Sequence, residues 1–140
     1  MSYVTKGSVG HYNQVSSFTG AIEADPHQLV QMLLAGAVGR IAVAKGLIAH
    51  GDIAKKGEVI GQIISIVGGL HTSLDMEAGG EISANLNSLY FYIERQLAKA
   101  NLENSVDVLD EVSSLLRELE TAWESIRPEQ KAMPAEASFA

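Results

Sequence analysis

Apolar residues recur every three or four positions in four stretches of the chain, a helical period rather than a strand period. The first stretch opens on Asp25-Pro26-His27-Gln28. Asp25 can accept from the free amides of a first turn, Pro26 suits the first helical position, and Gln28 stands at capping-box spacing. Its stripe is Leu29, Leu33, Ala37, Ile41, Ala44 and Ile48, and Gly51 is a natural C-terminal stop. The second stretch starts near Asp52, with the stripe Val59, Ile63, Val67, Leu70 and Leu74. The third follows Gly79-Gly80 and runs through Ile82, Leu86, Leu89, Tyr90, Ile93 and Leu97 to about Asn101. The fourth is capped by Asn104 or Ser105 and carries a heptad seam of Leu109, Val112, Leu116, Leu119, Trp123 and Ile126. Pro128 forbids its continuation. Helices of about 20–25 residues joined by short connections near Gly51, Met76–Gly80 and Asn101–Ser105 predict an all-α, antiparallel up-down four-helix bundle. Residues 1–20 are polar with scattered Tyr3, Tyr12, Val15 and Phe18 and read as an arm or a short helix. Residues 21–127 form the bundle, and 128–140 read as a flexible tail.

The first two helices hold more apolar surface than one stripe needs. Val30, Leu34 and Val38 flank the first stripe, and Ile60, Ile64 and Ile66 flank the second. A surface helix shows one apolar face, so a second face calls for a cover: the arm, a second copy of the chain, or a partner's amphipathic helix. Gly36, Gly39, Gly46, Gly61, Gly68 and Gly69 each cost about 1 kcal/mol against alanine inside a helix. Close helix–helix approach, or a groove floor for another backbone, would offset that cost.

At 140 residues, with 46% hydrophobic and 19% charged side chains, the chain is one ordinary globular domain and not a disordered one. It has no cysteine, which excludes disulfides, thiolate metal sites and a cysteine nucleophile. The net charge of −7 argues against nucleic acid as a partner. Residues 1–75 hold five basic and five acidic side chains, whereas 76–140 hold five and twelve, so the second half carries the whole excess. The apolar stretch Leu29–Ala49 includes Gln31, Arg40 and Lys45, too polar for a span, and the first twenty residues hold no apolar run. A cytoplasmic protein without a membrane span is expected.

Enzymatic and metal chemistry find little support. No Glu-x-x-His occurs, as a carboxylate-bridged metal bundle would need, and His11, His27, His50 and His71 lie far apart. Asp75–Glu81 lacks the alternation of a calcium loop and the lysine of a phosphate cradle. His71 could mimic a phosphotransfer histidine on a bundle, but the lysine and small-residue turn expected beside it are missing. No cofactor, metal or catalytic residue is expected.

Ser73-Leu74-Asp75-Met76-Glu77-Ala78-Gly79-Gly80-Glu81-Ile82-Ser83-Ala84-Asn85-Leu86-Asn87-Ser88-Leu89-Tyr90-Phe91-Tyr92 resembles the signature of the flagellar secretion chaperone FliS family. Tyr12, Asp25–Leu29 with Met32-Leu33 and Gly36-Ala37, Ala100-Asn101, Glu111-Val112, Leu115–Leu119 and Ala122-Trp123 resemble further family positions in the same order. The family usually has an aromatic and an aspartate where this chain has Leu34-Ala35, and a polar residue where it has Phe91. These departures make the surface more apolar and bear on client specificity. The resemblance implies a cytoplasmic helical chaperone, not an enzyme. Its client would be the disordered C-terminal segment of flagellin, kept from early polymerisation and fit for export. Components of the export apparatus are further implied partners, and a homodimer is the structural alternative. Carried over residue by residue, the implied contact set is Tyr12 in the arm; Met32, Leu33, Gly36 and Ala37 on the first helix; and Asn85, Leu86, Leu89, Tyr90 and Tyr92 on the third. Several of these must also build the core, Leu86 and Leu89 first among them.

Overall fold

Each helix begins on a side chain that accepts from its free amides. The computed structural model describes residues 25–126, all in four helices and their connections. Helix α1 (Pro26–His50) starts where Asp25 Oδ1 accepts from the amides of His27 and Gln28. Helix α2 (Ile53–Thr72) starts at Asp52, which accepts from the Lys55 amide. Helix α3 (Met76–Glu103) starts at Asp75, bonded to the amides of Glu77 and Ala78. Helix α4 (Val106–Glu124) starts at Ser105, whose hydroxyl accepts from the Val108 amide. Gly51 ends α1 in the left-handed region at φ 77°, where a side chain would be strained.

The connections are two or three residues long, so consecutive helices run antiparallel. Helix α1 packs on α2 and α4, and α3 packs on the same two, so the helices form a ring with α1 and α3 at opposite corners. By length and hydropathy alone α1 resembles a membrane-crossing helix; here it is a wall of the bundle, with Val30, Leu34, Ala37, Ile41 and Ala44 in the core.

The heptad seam of α4 is the buried face, as its pattern predicts: Leu109, Val112, Leu116 and Trp123 are buried, and Leu119 and Ile126 pack against them. Helix α1 is rotated from its expected register. Val30 and Leu34, the flanking positions, are core, while Leu33 and Ile48 are partly buried. On α2, Ile60 and Ile66 join Val59, Ile63, Val67 and Leu70 in the core. Most of the supposed second apolar face is therefore internal, because each helix of the ring buries flanks against two neighbours. The outer face of α1 is instead lined by small exposed residues, Ala35, Gly39, Ala42 and Gly46. A Cβ at Gly39, Gly46, Gly61 or Gly69 would meet nothing within 4 Å, so close helix approach does not explain these glycines.

Ile82 is the clearest change of register. It was expected in the core stripe of α3, yet it is 62% exposed, and Ser83 is buried in its place. Gly80 breaks the helix at φ 55°, ψ −129° and resets its phase. The Ser83 hydroxyl then donates to the Asp75 carbonyl at 3.0 Å. From there Ser83, Tyr90, Ile93, Leu97 and Ala100 make an unbroken three-and-four seam.

Candidate partner-binding surface

The residues singled out from sequence fall on opposite corners of the ring. On α1, Met32, Leu33 and Gly36 are half-buried and Ala37 is fully buried. Gly36 lies under the Arg40 side chain, whose Nη1 donates back to the Gly36 carbonyl at 3.2 Å and whose Nε donates to Gln62 of α2 at 3.3 Å. A Cβ at Gly36 would press on that guanidinium at 3.2 Å, so this glycine admits an α1–α2 tie. On α3, Asn85 is exposed, Leu86 and Leu89 lean on the core, and Tyr90 is 2% exposed. Ala37 and Tyr90 therefore support the bundle from inside. Tyr12 lies outside the described residues.

Burial pushes the Tyr90 phenol up to about 12, so it stays neutral. Tyr92, two positions on, is half-buried and its exposed hydroxyl donates to Glu111 Oε2 of α4 at 2.5 Å, while Gln96 donates to Glu111 Oε1 at 3.0 Å. The Glu111 carboxyl is held below its ordinary value by these two bonds, the Tyr92 bond first. The same bond pushes the Tyr92 phenol up, since losing its proton would place two negative charges side by side. The Arg95 guanidinium lies over the Tyr92 ring at 5.9 Å. Tyr92 thus stitches α3 to α4 and presents its ring outward.

Among the described residues the exposed large apolar side chains are Val43, Ile53, Met76, Ile82, Phe91 and Leu102, and four of the six belong to α3. Phe91 and Leu102 share one outer face of α3, whereas Ile82 lies half a turn away from Phe91 and Met76 precedes the Gly80 break; none of them was in the contact set chosen from sequence. The signal was there for Phe91 and Leu102, which lie off every core stripe.

Two polar ties also escaped the sequence reading. Lys56 is buried, and its Nζ donates to both the backbone and side-chain oxygens of Asn101 at 2.7 Å. An ammonium there meets the carbonyl end of α3, where the helix dipole favours positive charge. Its position three and four before Val59 and Ile60 puts it on the inner stripe. His27 and Trp123 form the second tie. The indole Nε1 donates to the His27 carbonyl and the His27 Nε2 to the Trp123 carbonyl, both at 2.8 Å, with the rings stacked 4.9 Å apart.

His71 is held on both ring nitrogens. Nδ1 faces Glu94 at 3.1 Å and Nε2 lies 2.6 Å from Asn87 Oδ1. Among the described residues no three His, Asp or Glu side chains converge as metal ligands.

The family model described as flagellar protein FliS matches residues 8–130. The flagellar secretion chaperone FliSB of Pseudomonas aeruginosa is 44% identical over 82% of this chain and 91% of its own length. The flagellar secretion chaperones FliS of Vibrio cholerae and Salmonella typhimurium are 38% and 40% identical, over 93% and 89% of this chain and 96% and 93% of theirs. With a helical bundle, the third-helix signature in place and relatives that span nearly the whole chain, this protein belongs to the flagellar protein FliS family.

Proposed function

We propose that this chain is a cytoplasmic flagellar export chaperone that binds the C-terminal segment of flagellin, keeps it from polymerising and holds it fit for export. The observation that carries this reading is its identity to relatives named flagellar secretion chaperones over nearly their full lengths. The exposed apolar side chains of α3, Phe91 and Leu102 on one face among them, support it, because a binder of disordered segments needs apolar surface left in water. The proposed contact surface is Met32, Leu33 and Gly36 on α1, Asn85, Leu86, Leu89 and Tyr92 on α3, and Tyr12 in the arm; Ala37 and Tyr90 shape it from the core. The mechanism is coupled folding and binding: apolar burial on the bundle offsets the ordering entropy of the client. It has no catalytic step and uses no cofactor.

The test is calorimetry of the full chain against the C-terminal segment of flagellin from the same organism. A 1:1 complex with a large negative heat-capacity change is the expected result. No complex would remove flagellin as the client. A stable dimer by light scattering that is indifferent to flagellin would replace this reading with self-association.

A further inference from the structure

The His71 ring, in the last turn of α2, is bracketed by oxygens of α3. Its Nδ1 lies 3.1 and 3.2 Å from the two carboxylate oxygens of Glu94, and its Nε2 lies 2.6 Å from Asn87 Oδ1. Asn87 and Glu94 stand two turns apart on one face of α3, so a single helix fixes both contacts. Phe91, between them, meets the imidazole edge to face at 4.5 Å, and the Tyr90 ring lies 5.8 Å away. The His71 side chain keeps only 13% of its surface exposed, so these partners decide its bonds more than water does.

A histidine ring changes charge between about pH 5 and 8. Its two forms fit this bracket differently. The charged ring has an N–H on each nitrogen and donates to Glu94 and to Asn87 as they stand. The carbonyl end of α2 favours that charge as well. The neutral ring has one N–H, so its other nitrogen accepts. A proton on Nε2 would leave bare Nδ1 against two carboxylate oxygens that have nothing to donate. The neutral ring therefore keeps its proton on Nδ1, and bare Nε2 faces Asn87. Two acceptors at that distance repel, and a half-turn of the Asn87 amide brings its NH2 to Nε2 instead.

Charged groups of the surrounding elements are engaged elsewhere. The Asp75 carboxylate, between α2 and α3, accepts from the Glu77 and Ala78 amides. Arg95 of α3 lies over the Tyr92 ring. Lys55, Lys56 and Glu58 sit at the opposite end of α2. From α1, Arg40 bonds Gln62, nine positions and so about 13 Å back along α2. His27 bonds the Trp123 carbonyl, and Lys45 pairs with Asp110. The Tyr90 phenol, pushed up to about 12, keeps its proton throughout.

We propose that His71, Asn87 and Glu94 form a proton-operated switch between α2 and α3. With His71 charged, Asn87 accepts from the ring and turns its NH2 outward; with His71 neutral, Asn87 donates to the ring and turns its oxygen outward. Asn87 is half-buried and one turn from the exposed Phe91, so the hydrogen-bonding character of this part of α3 follows pH.

The test is NMR of the nitrogen-labelled full chain from about pH 5 to 8. In acid, both ring nitrogens of His71 are expected to carry protons. In base, Nδ1 alone carries one, and the Asn87 side-chain amide shows a coupling across the hydrogen bond to Nε2. The Asn87 amide signals shift with the same midpoint as the ring, and His71→Gln abolishes that shift. Asn87→Asp offers only oxygens, so it holds the second ring proton and moves the His71 midpoint up by about one pH unit or more. Asn87 signals that stay still while His71 titrates would overturn the switch. So would a neutral ring protonated on Nε2, an Asn87 shift that persists in His71→Gln, or an unmoved midpoint in Asn87→Asp. A His71 ring that keeps one charge across the whole range would overturn it too. The proposal stands or falls apart from the client reading, since every readout is on the free chain.

Discussion

Tyr92 and Glu111 meet in full view of solvent, where an isolated hydrogen bond adds little to stability. Their interest is in titration. The phenol donates to the ionised carboxylate, so it stabilises the charged form and holds the Glu111 carboxyl low. Tyr92→Phe removes that donor and leaves the Gln96 bond, so Glu111 should titrate at higher pH than in the wild type. Carboxyl-carbon NMR across the acid range reads this directly; an unchanged titration would show the bond absent in solution. The linkage sign follows from the direction. A carboxyl depressed in the folded state adds stability above its unfolded value, and that stability is lost as pH falls through the folded value. The small contribution of this pair is therefore present at neutral pH and lost as pH falls through the Glu111 value. Lys56 is the opposite case, a buried cation with two carbonyl oxygens and no carboxylate among its bonds. Lys56→Ala strands the Asn101 oxygens and is expected to cost about 1–3 kcal/mol in urea unfolding.

Local chemistry and helix phase pull against each other at the start of α3. The Asp75 cap, the Gly80 break and the Ser83 bond to the Asp75 carbonyl form one device that turns the chain and resets its register. Gly80→Ala forces a Cβ into a left-handed backbone and should cost about 1–3 kcal/mol by chemical denaturation, whereas Gly79→Ala should cost far less. The glycines on the outer faces of α1 and α2 behave in the reverse sense. Gly39 and Gly61 have open space around them, so Gly39→Ala and Gly61→Ala should each stabilise the bundle by about 0.5–1 kcal/mol. Loss of stability in either would mean that the helix is locally other than described. These elements also mark where sequence was readable. Caps, stops and the seam of α4 follow from single residues and one strict period, so Asp25, Gly51, Ser105 and Trp123 were legible. The true phase of α1 was not, because Leu29, Val30, Leu33 and Leu34 satisfy two stripes equally and only packing between α2 and α4 chooses. Ile82 misled for a different reason: periodicity assumes continuous helix, and Gly80 interrupts it. Most of the contact set was carried by resemblance, which could not tell Ala37 and Tyr90, inside the core, from Asn85, outside it.

At the scale of the whole molecule the ring has to close. Helices joined by short turns meet their sequence neighbours almost automatically, but α1 and α4 are brought together only by tertiary contact. The His27–Trp123 tie spans 96 positions of sequence and sits at the bundle end where α1 begins and α4 finishes. It pairs two backbone carbonyls at helix ends with two ring N–H donors, so each ring satisfies the other's chain while the stacked faces exclude water. Lys45 of α1 and Asp110 of α4 add an exposed ion pair at 2.5 Å nearer the opposite end, which contributes little by itself. Closure therefore depends on core packing and on the tie. Trp123→Phe keeps most of the apolar ring and deletes the Nε1 donor, so one buried hydrogen bond to the His27 carbonyl is lost while that carbonyl keeps its intrahelical partner. It should lower stability by about 0.5–1.5 kcal/mol in urea unfolding, with the slope against urea unchanged because the same surface is exposed. A fall in the slope would carry a different meaning. It would show that α1 and α4 part before the rest of the ring, so that closure is a separate step rather than part of one cooperative transition. Such a bundle could open between α1 and α4 without unfolding α2 and α3, and the exposed face of α3 would remain intact while it did so.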